Sequence, residues 1–440
     1  MTALMHKPAA EVLRERPGAE AVETFRIPHI TLDAWCDTPE MIGTLERAVA
    51  DRRMSRAHAT VRPGGIAAAI DLYRHEASAN LLVIESRAMG ADLDRQLDAL
   101  ADVCQIGTKL ILIGYTNDVA VYRELLSRGV SEYIVAPVDP IAIIAATGRL
   151  YRDAGAHKLG RSFAFIGAKG GVGSSTIAQN VAATIARSYG RDVILADLDL
   201  PFGSVGLGFN LDAAKGIGQA LEEPARLDDD LLERLLTRCA DHLRVLTAPA
   251  ALVQCYDMAE SAFEPVIEIA QHNVPFVVLD VPHAWTAWVR KTLLMADEVV
   301  ITAEPDLVSL RNTKNLVDLL KRARPNDASP KLVLNRVGVP KRVEIKPDKF
   351  AAAIQIQPVA CIPFEPAAVS AAANNSKMIA DVAAKSAVAL CFPKIAQAVT
   401  GLTSPNAGRK GLFALGRFEG LKRTTAAAVP KKISLATPDA

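Results

Sequence analysis

Aromatic side chains are scarce in this chain, 5% of 440 residues, and neither charge sign is in excess, with Lys+Arg 50 against Asp+Glu 49. Without a bulk field nothing draws the whole molecule to nucleic acid or an anionic membrane, so any such contact has to be local. Long apolar runs are missing too. Nowhere do about 18 uncharged apolar residues follow one another, and the opening MTALMHKPAAEVLRERPGAE holds no apolar core of signal-peptide length. A cytoplasmic protein is expected. Cys36, Cys104, Cys239, Cys255, Cys361 and Cys391 form no CxxC pair and have no histidine at ligand spacing. That argues against a zinc site or a disulfide framework and leaves core thiols.

What is present is half hydrophobic and arranged as alternating strands and helices. At this length two cores are expected. We divide the chain into a flexible lead-in (1–24), a first domain (25–153), a linker (154–160), a second domain (161–401) and a disordered tail (402–440). In the first domain HITLDAW, HATV, NLLVIES, TKLILIGY and EYIVAPV read as strands, separated by amphipathic stretches such as DLDRQLDALADVC. In the second, FAFIGAKGG, DVILADLD, HLRVLTAP, FVVLDVP, EVVITAEP and KLVLNRV repeat the pattern. Uninterrupted Val/Ile/Leu runs suit strands buried on both faces, so the order predicts an α/β chain of two doubly wound parallel-sheet domains. In the tail, Leu412, Leu415, Phe418 and Leu421 recur beside basic residues, as in a helix touching a membrane or partner. Gly411, Gly416 and Gly420 weaken that helix, and solvated disorder is the preferred reading.

GAKGGVGSST, Gly167 to Thr176, follows a strand and opens a helix. Gly170, Gly171 and Gly173, with Val172, Ser174, Ser175 and Thr176, let consecutive backbone N–H groups converge on an anion at a helix N-terminus. Such a loop cradles a triphosphate. Ser175 would place its hydroxyl on Mg²⁺ and Thr176 on the α-phosphate. ATP and Mg²⁺ are the expected cofactors. A bare Gly-rich turn is the bland alternative.

KGGVG followed by small hydroxyl residues resembles the deviant Walker A box of the ParA/MinD superfamily. The resemblance implies a nucleotide-sandwich homodimer in which a signature lysine, matched here by Lys169, reaches the partner's phosphates. The usual second lysine is absent, and Ser174 stands in its place. Loss of one charge that stabilises phosphoryl transfer predicts slow hydrolysis at best. By the same resemblance DVILADLDL carries Asp199 as the carboxylate orienting attacking water, and FVVLDVP is a Walker B strand delivering Asp280 to the Mg²⁺ shell, partly through water. Asn335 in LNRV would read the adenine edge, and CIPFEP would be the loop walling the base. Each has a plainer reading: strand-end carboxylates cap loops, and an asparagine satisfies loop backbone. His283, Trp285 and Trp288 follow in HAWTAW, and the tryptophan pair is read as core or helix-surface packing.

The first domain resembles a response-regulator receiver without its chemistry. Glu85 stands at the phosphoacceptor position, and Gly114 and Ala136 replace the switch hydroxyl and the lysine before proline. Such a domain ahead of a deviant ParA/MinD domain is similar to the CpaE/TadZ family of Tad (Flp) pilus assembly proteins. The resemblance implies a dimerising, ATP-binding localisation factor at the cell pole or the inner face of the membrane. Its partners would be itself, the Tad secretion machinery with its secretion ATPase, and a polar-localisation protein, with peripheral membrane contact at most. DNA is not expected. Two alternatives stay open: an active partitioning or positioning ATPase binding DNA or membrane, and a nucleotide-independent scaffold.

Overall fold

The computed structural model describes residues 27–151, 159–211, 216–222, 224–250, 252 and 256–403. The lead-in, most of the linker and tail, Cys255 and the basic amphipathic segment at 412–421 lie outside them.

Five strands build the first sheet: β1 (Ile30–Cys36), β2 (Ala57–Pro63), β3 (Leu81–Glu85), β4 (Lys109–Gly114) and β5 (Glu132–Val135). All pair in parallel in the order β2-β1-β3-β4-β5. The central strand LLVIE is buried at every position, as a strand covered by helices on both faces requires. One helix, Pro140–Leu150, was not singled out in the sequence. Its mixture of Ile, Ala and Gly gives weak amphipathicity, yet Asp139 caps it by accepting from Ile141 N at 2.9 Å.

The second sheet has eight strands: β6 (Arg161–Gly167), β7 (Val193–Asp197), β8 (Thr237–Ala240), β9 (Leu243–Leu246), β10 (Phe276–Val281), β11 (Glu298–Ala303), β12 (Lys331–Val337) and β13 (Pro358–Pro363). Their order is β13-β12-β11-β6-β10-β7-β9-β8. Seven of them run parallel, and β8 pairs antiparallel with β9 at one edge. The expected fold class holds, with that antiparallel edge added. One local expectation is corrected: half of CIPFEP is strand and not loop, because Cys361 to Pro363 close edge strand β13.

The order places β6 between β10 and β11, so the loop leaving β6 lies between the carboxyl ends of two neighbours. That is where an open α/β sheet forms its crevice.

A polar seam joins the two domains. The short turn Arg52–Met54 presents Arg52 to Asp327 at 3.0 Å and to Asp297 at 3.2 Å, and Arg53 pairs with Asp327 as well. Arg324 reaches the same Asp327 at 2.6 Å, and Asn326 donates to Asp51 at 3.0 Å. Arg56 pairs with Glu268.

Candidate functional site

The loop after β6 runs into the helix Ser174–Tyr189. Three side chains from three other segments pin its carbonyls. His283 bonds Gly167 O through Nδ1 at 2.9 Å, so that nitrogen carries the proton. Asn312 donates to Ala168 O at 2.8 Å, and Asn335 to Val172 O at 2.7 Å. With those carbonyls engaged outside, the loop's shape is set independently of any ligand. Gly173 has φ 90°, and a Cβ there would sit 2.7 Å from the Asn335 amide, so no larger residue fits. Ser174 is 9% exposed, and its hydroxyl is buried with no hydrogen-bond partner. A buried polar atom left open in this way points to a group that the chain does not itself supply.

Beside the loop lies a cavity of about 960 Å³, lined by Lys169 to Thr176, Asp199, Phe202 and Trp288 among others. A second, of about 410 Å³, is bounded by Gly173, Thr176, Asn335, Phe364 and Pro366. Arg336 lines both.

The strand ends bring carboxylates together behind the loop. Asp280 at the end of β10 is 3% exposed and accepts from the Ser175 hydroxyl. Burial pushes its pKa well up, and the charge of Asp197 adds to this. Asp197, 1% exposed at the end of β7, is pushed up to about 6, chiefly by burial, although Val205 N and Asp199 N donate to it. Asp199 is raised by burial and accepts from Phe202 N at 3.2 Å. Sequence reasoning missed Asp197, although it is the first carboxylate of the same DLD segment. Buried like charges with raised pKa values suit a divalent cation. Among the described residues no cluster of three or more His, Cys, Asp and Glu is arranged to hold a metal unaided. Asp280 with the Ser175 hydroxyl offers the one or two protein oxygens that Mg²⁺ takes when water and phosphate complete its octahedron.

Lys169 is engaged within its own chain, to Asp306 at 2.6 Å and Glu304 at 3.2 Å. The Asp306 hydrogen bond raises its pKa further. Glu304 is 6% exposed and also pairs with Arg336 at 2.8 Å and Arg342 at 3.2 Å. Asn335 spends its amide on the loop and on its own neighbour, accepting from Arg336 N at 2.9 Å. The plainer reading of that asparagine thus describes its present bonds, while its position remains beside the second cavity. Trp288 is buried against Phe263, ring centroids 4.5 Å apart, whereas Trp285 is 55% exposed. Packing describes the first and not the second.

In the first domain Glu85 is satisfied on all sides. Asp37 N and Thr38 N donate to it at 2.8 and 2.9 Å, the Thr38 hydroxyl at 2.8 Å and the Tyr115 hydroxyl at 2.5 Å. Burial works to raise its pKa, but these donors outweigh it and hold the carboxylate below its usual range. A Cβ on Gly114 would meet Tyr133 Oη at 2.4 Å, so the place of the switch hydroxyl is filled.

An AAA-domain family model matches residues 160–332. The septum site-determining protein MinD of Synechocystis is 26% identical over 173 residues, 38% of this chain and 62% of that protein. The chain spans 62% to 66% of the length of the curated relatives it matches. The crystal structure of the pilus assembly protein CpaE from Caulobacter crescentus is 47% identical, covering 29% of this chain and 98% of that one, with a TM-score of 0.29. A putative CpaE2 pilus assembly protein from Sinorhizobium meliloti is 42% identical, covering 27% and 98%, with a TM-score of 0.27.

Sheet order, pinned loop and buried carboxylates define a P-loop domain of the ParA/MinD kind, attached to a receiver-like domain. By sequence identity across nearly all of a solved relative, the chain belongs to the CpaE family of pilus assembly proteins.

Proposed function

We infer that the protein is an ATP- and Mg²⁺-binding, dimerising localisation and assembly factor for Tad (Flp) pilus biogenesis, with weak or absent hydrolysis. The observation that carries this reading is the phosphate loop itself: three carbonyls held outward, a buried hydroxyl without a partner, and a cavity in front of it, with no lysine at position 174. Backbone N–H groups of Gly170 to Thr176 would bind the phosphates. Ser175 and Asp280 would hold Mg²⁺, which neutralises phosphate charge when bound. Asp199 would orient water, and Asn335 would border the base.

Dimerisation is supported by exposed apolar side chains, of which Phe202 and Leu252 line the larger cavity and Leu307 follows Asp306. Phe202, Leu252 and Leu307 are 70%, 70% and 72% exposed. Exposed apolar surface of this kind is commonly covered by a partner, and a second copy would bring Lys169 to the opposite phosphates. Among the described residues no helix is long and apolar enough to cross a membrane. The localisation we propose is cytoplasmic, at the pole or the inner membrane face. The partners would be the Tad secretion machinery with its secretion ATPase and a polar-localisation protein. A DNA-binding role is the weaker reading, because the net charge is only +1.

The test is ATP binding and turnover by the full chain. Wild type is expected to bind in the micromolar range, to order of magnitude, with negligible turnover. Lys169→Ala should lose the dimer, and Ser174→Lys should gain turnover. Wild type that neither binds ATP·Mg²⁺ nor changes its oligomeric state with it would end the reading.

A further inference from the structure

Position 174 leaves the nucleotide cavity short of one cation. The surrounding charges deepen the deficit, because Asp197, Asp199 and Asp280 lie close behind the loop and Lys169 is bound by two carboxylates. Of the described residues, Arg336 is the one cation that lines both the phosphate-loop cavity and the smaller cavity beside Asn335.

Its placement is built into the strand. The pairing of β12 with β13 loses register between Leu334 and Val337, and Arg336 lies in that irregular stretch with φ 53°. A left-handed conformation at a non-glycine residue is strained, and strand irregularities commonly re-aim a side chain next to a site. The same stretch is fastened to the phosphate loop: Asn335 Nδ2 donates to Val172 O while Asn335 Oδ1 accepts from Arg336 N. The distance from the Arg336 backbone to the loop is therefore fixed by one side chain.

The guanidinium is also free to change partners at small cost. Its side chain is 45% exposed and rests on Glu304 at 2.8 Å. Arg342 at 3.2 Å would keep that buried carboxylate paired after Arg336 left, joined by Lys169, also at 3.2 Å, until a second copy engages that lysine. A guanidinium fork suits two phosphate oxygens better than one shared carboxylate.

We propose that Arg336 is the cis cation of the nucleotide site: on binding it leaves Glu304 and donates to the phosphates nearest the ribose. The position follows from its place at the junction of the two cavities. This rests on reading the larger cavity as an ATP site. A cation there strengthens binding of ATP and ADP alike and does not act on the terminal phosphate. That combination gives affinity without turnover.

The experiment is calorimetric titration of the full chain with ATP·Mg²⁺ and ADP·Mg²⁺, for wild type, Arg336→Ala and Arg336→Lys, with thermal unfolding as the folding control. Arg336→Ala should weaken both nucleotides by about tenfold or more, the share of one charge-assisted hydrogen bond, leaving the ATP-to-ADP affinity ratio unchanged. Arg336→Lys should recover part of the loss in both. Wild-type binding with both variants unaltered would overturn the proposal while leaving the ATP-site reading intact. A loss confined to ATP would overturn the assigned position. Wild type that binds neither nucleotide removes the proposal together with the reading beneath it.

Discussion

Lys169 can serve a second copy only by leaving Asp306 and Glu304. Asp306 has two tasks, since it also caps the helix Leu307–Ala323 by accepting from Ser309 N at 2.8 Å. Asparagine caps as well as aspartate does but lacks the charge. Asp306→Asn should therefore lower the ATP concentration for half-maximal dimerisation by about two- to tenfold, measured by sedimentation. An unchanged midpoint would mean the pair is no brake. Asp197 carries a second prediction. Its pKa is about 6 in the fold against 3.8 when free, so the folded chain holds a proton there that the unfolded chain has lost. Stability from this group is complete below the lower value and declines as pH rises to the upper, by on the order of 3 kcal/mol. Mg²⁺ held by Ser175 and Asp280 would work in the opposite direction, since its charge beside Asp197 favours the ionised form. Stabilisation by ATP·Mg²⁺ should grow between about pH 4 and pH 6, where Asp197 ionises, and Asp197→Asn should flatten the free protein's slope in that window; both are read by thermal unfolding.

At the level of elements, the phosphate loop depends on a brace from each of three segments. Asn335→Ala would leave Val172 O without its donor and free the loop to move. A stability loss of about 1–2 kcal/mol and a weaker nucleotide affinity are expected from melting and titration together. In the receiver-like domain, Gly114→Ser would force a side chain against Tyr133 and should cost about 1–3 kcal/mol in denaturant unfolding, without creating a phosphorylation site. The loop itself was legible because Gly170, Gly171 and Gly173 fall between a strand and a helix. Its braces were not. His283, Asn312 and Asn335 sit far apart in the chain, and only the sheet order brings them to one loop. Asp197 was passed over for Asp199 because spacing cannot tell a buried strand-end carboxylate from its half-buried neighbour two residues on. The edge strands were hard for a physical reason as well. Pro358 and Pro363 bound β13, which is tolerated at an edge, and TRCA in β8 is too short and exposed for its pattern to show.

For the whole molecule, two helices connect the nucleotide cavity to the domain seam. The helix Ala287–Met295 starts after the His283 loop and ends where Met295 O accepts from Arg52 at 3.2 Å. The helix Leu307–Ala323 starts at Asp306 and leads to Arg324 and Asp327. Burial acts to raise the Asp327 pKa, but Arg52, Arg324 and Arg53 override it and hold the carboxylate low. Arg52→Ala would take from Asp297 its guanidinium partner across the seam, while Asp327 keeps Arg53 and Arg324. A loss of about 1–3 kcal/mol is expected in thermal unfolding. The central claim lies at the other end of those helices: the pinned loop binds a polyphosphate although its usual lysine is missing. Calorimetric titration of the wild-type chain with ATP·Mg²⁺ tests it most directly. Saturable binding in the micromolar range, to order of magnitude, is the expected result, and no heat and no thermal shift at millimolar ATP would contradict it.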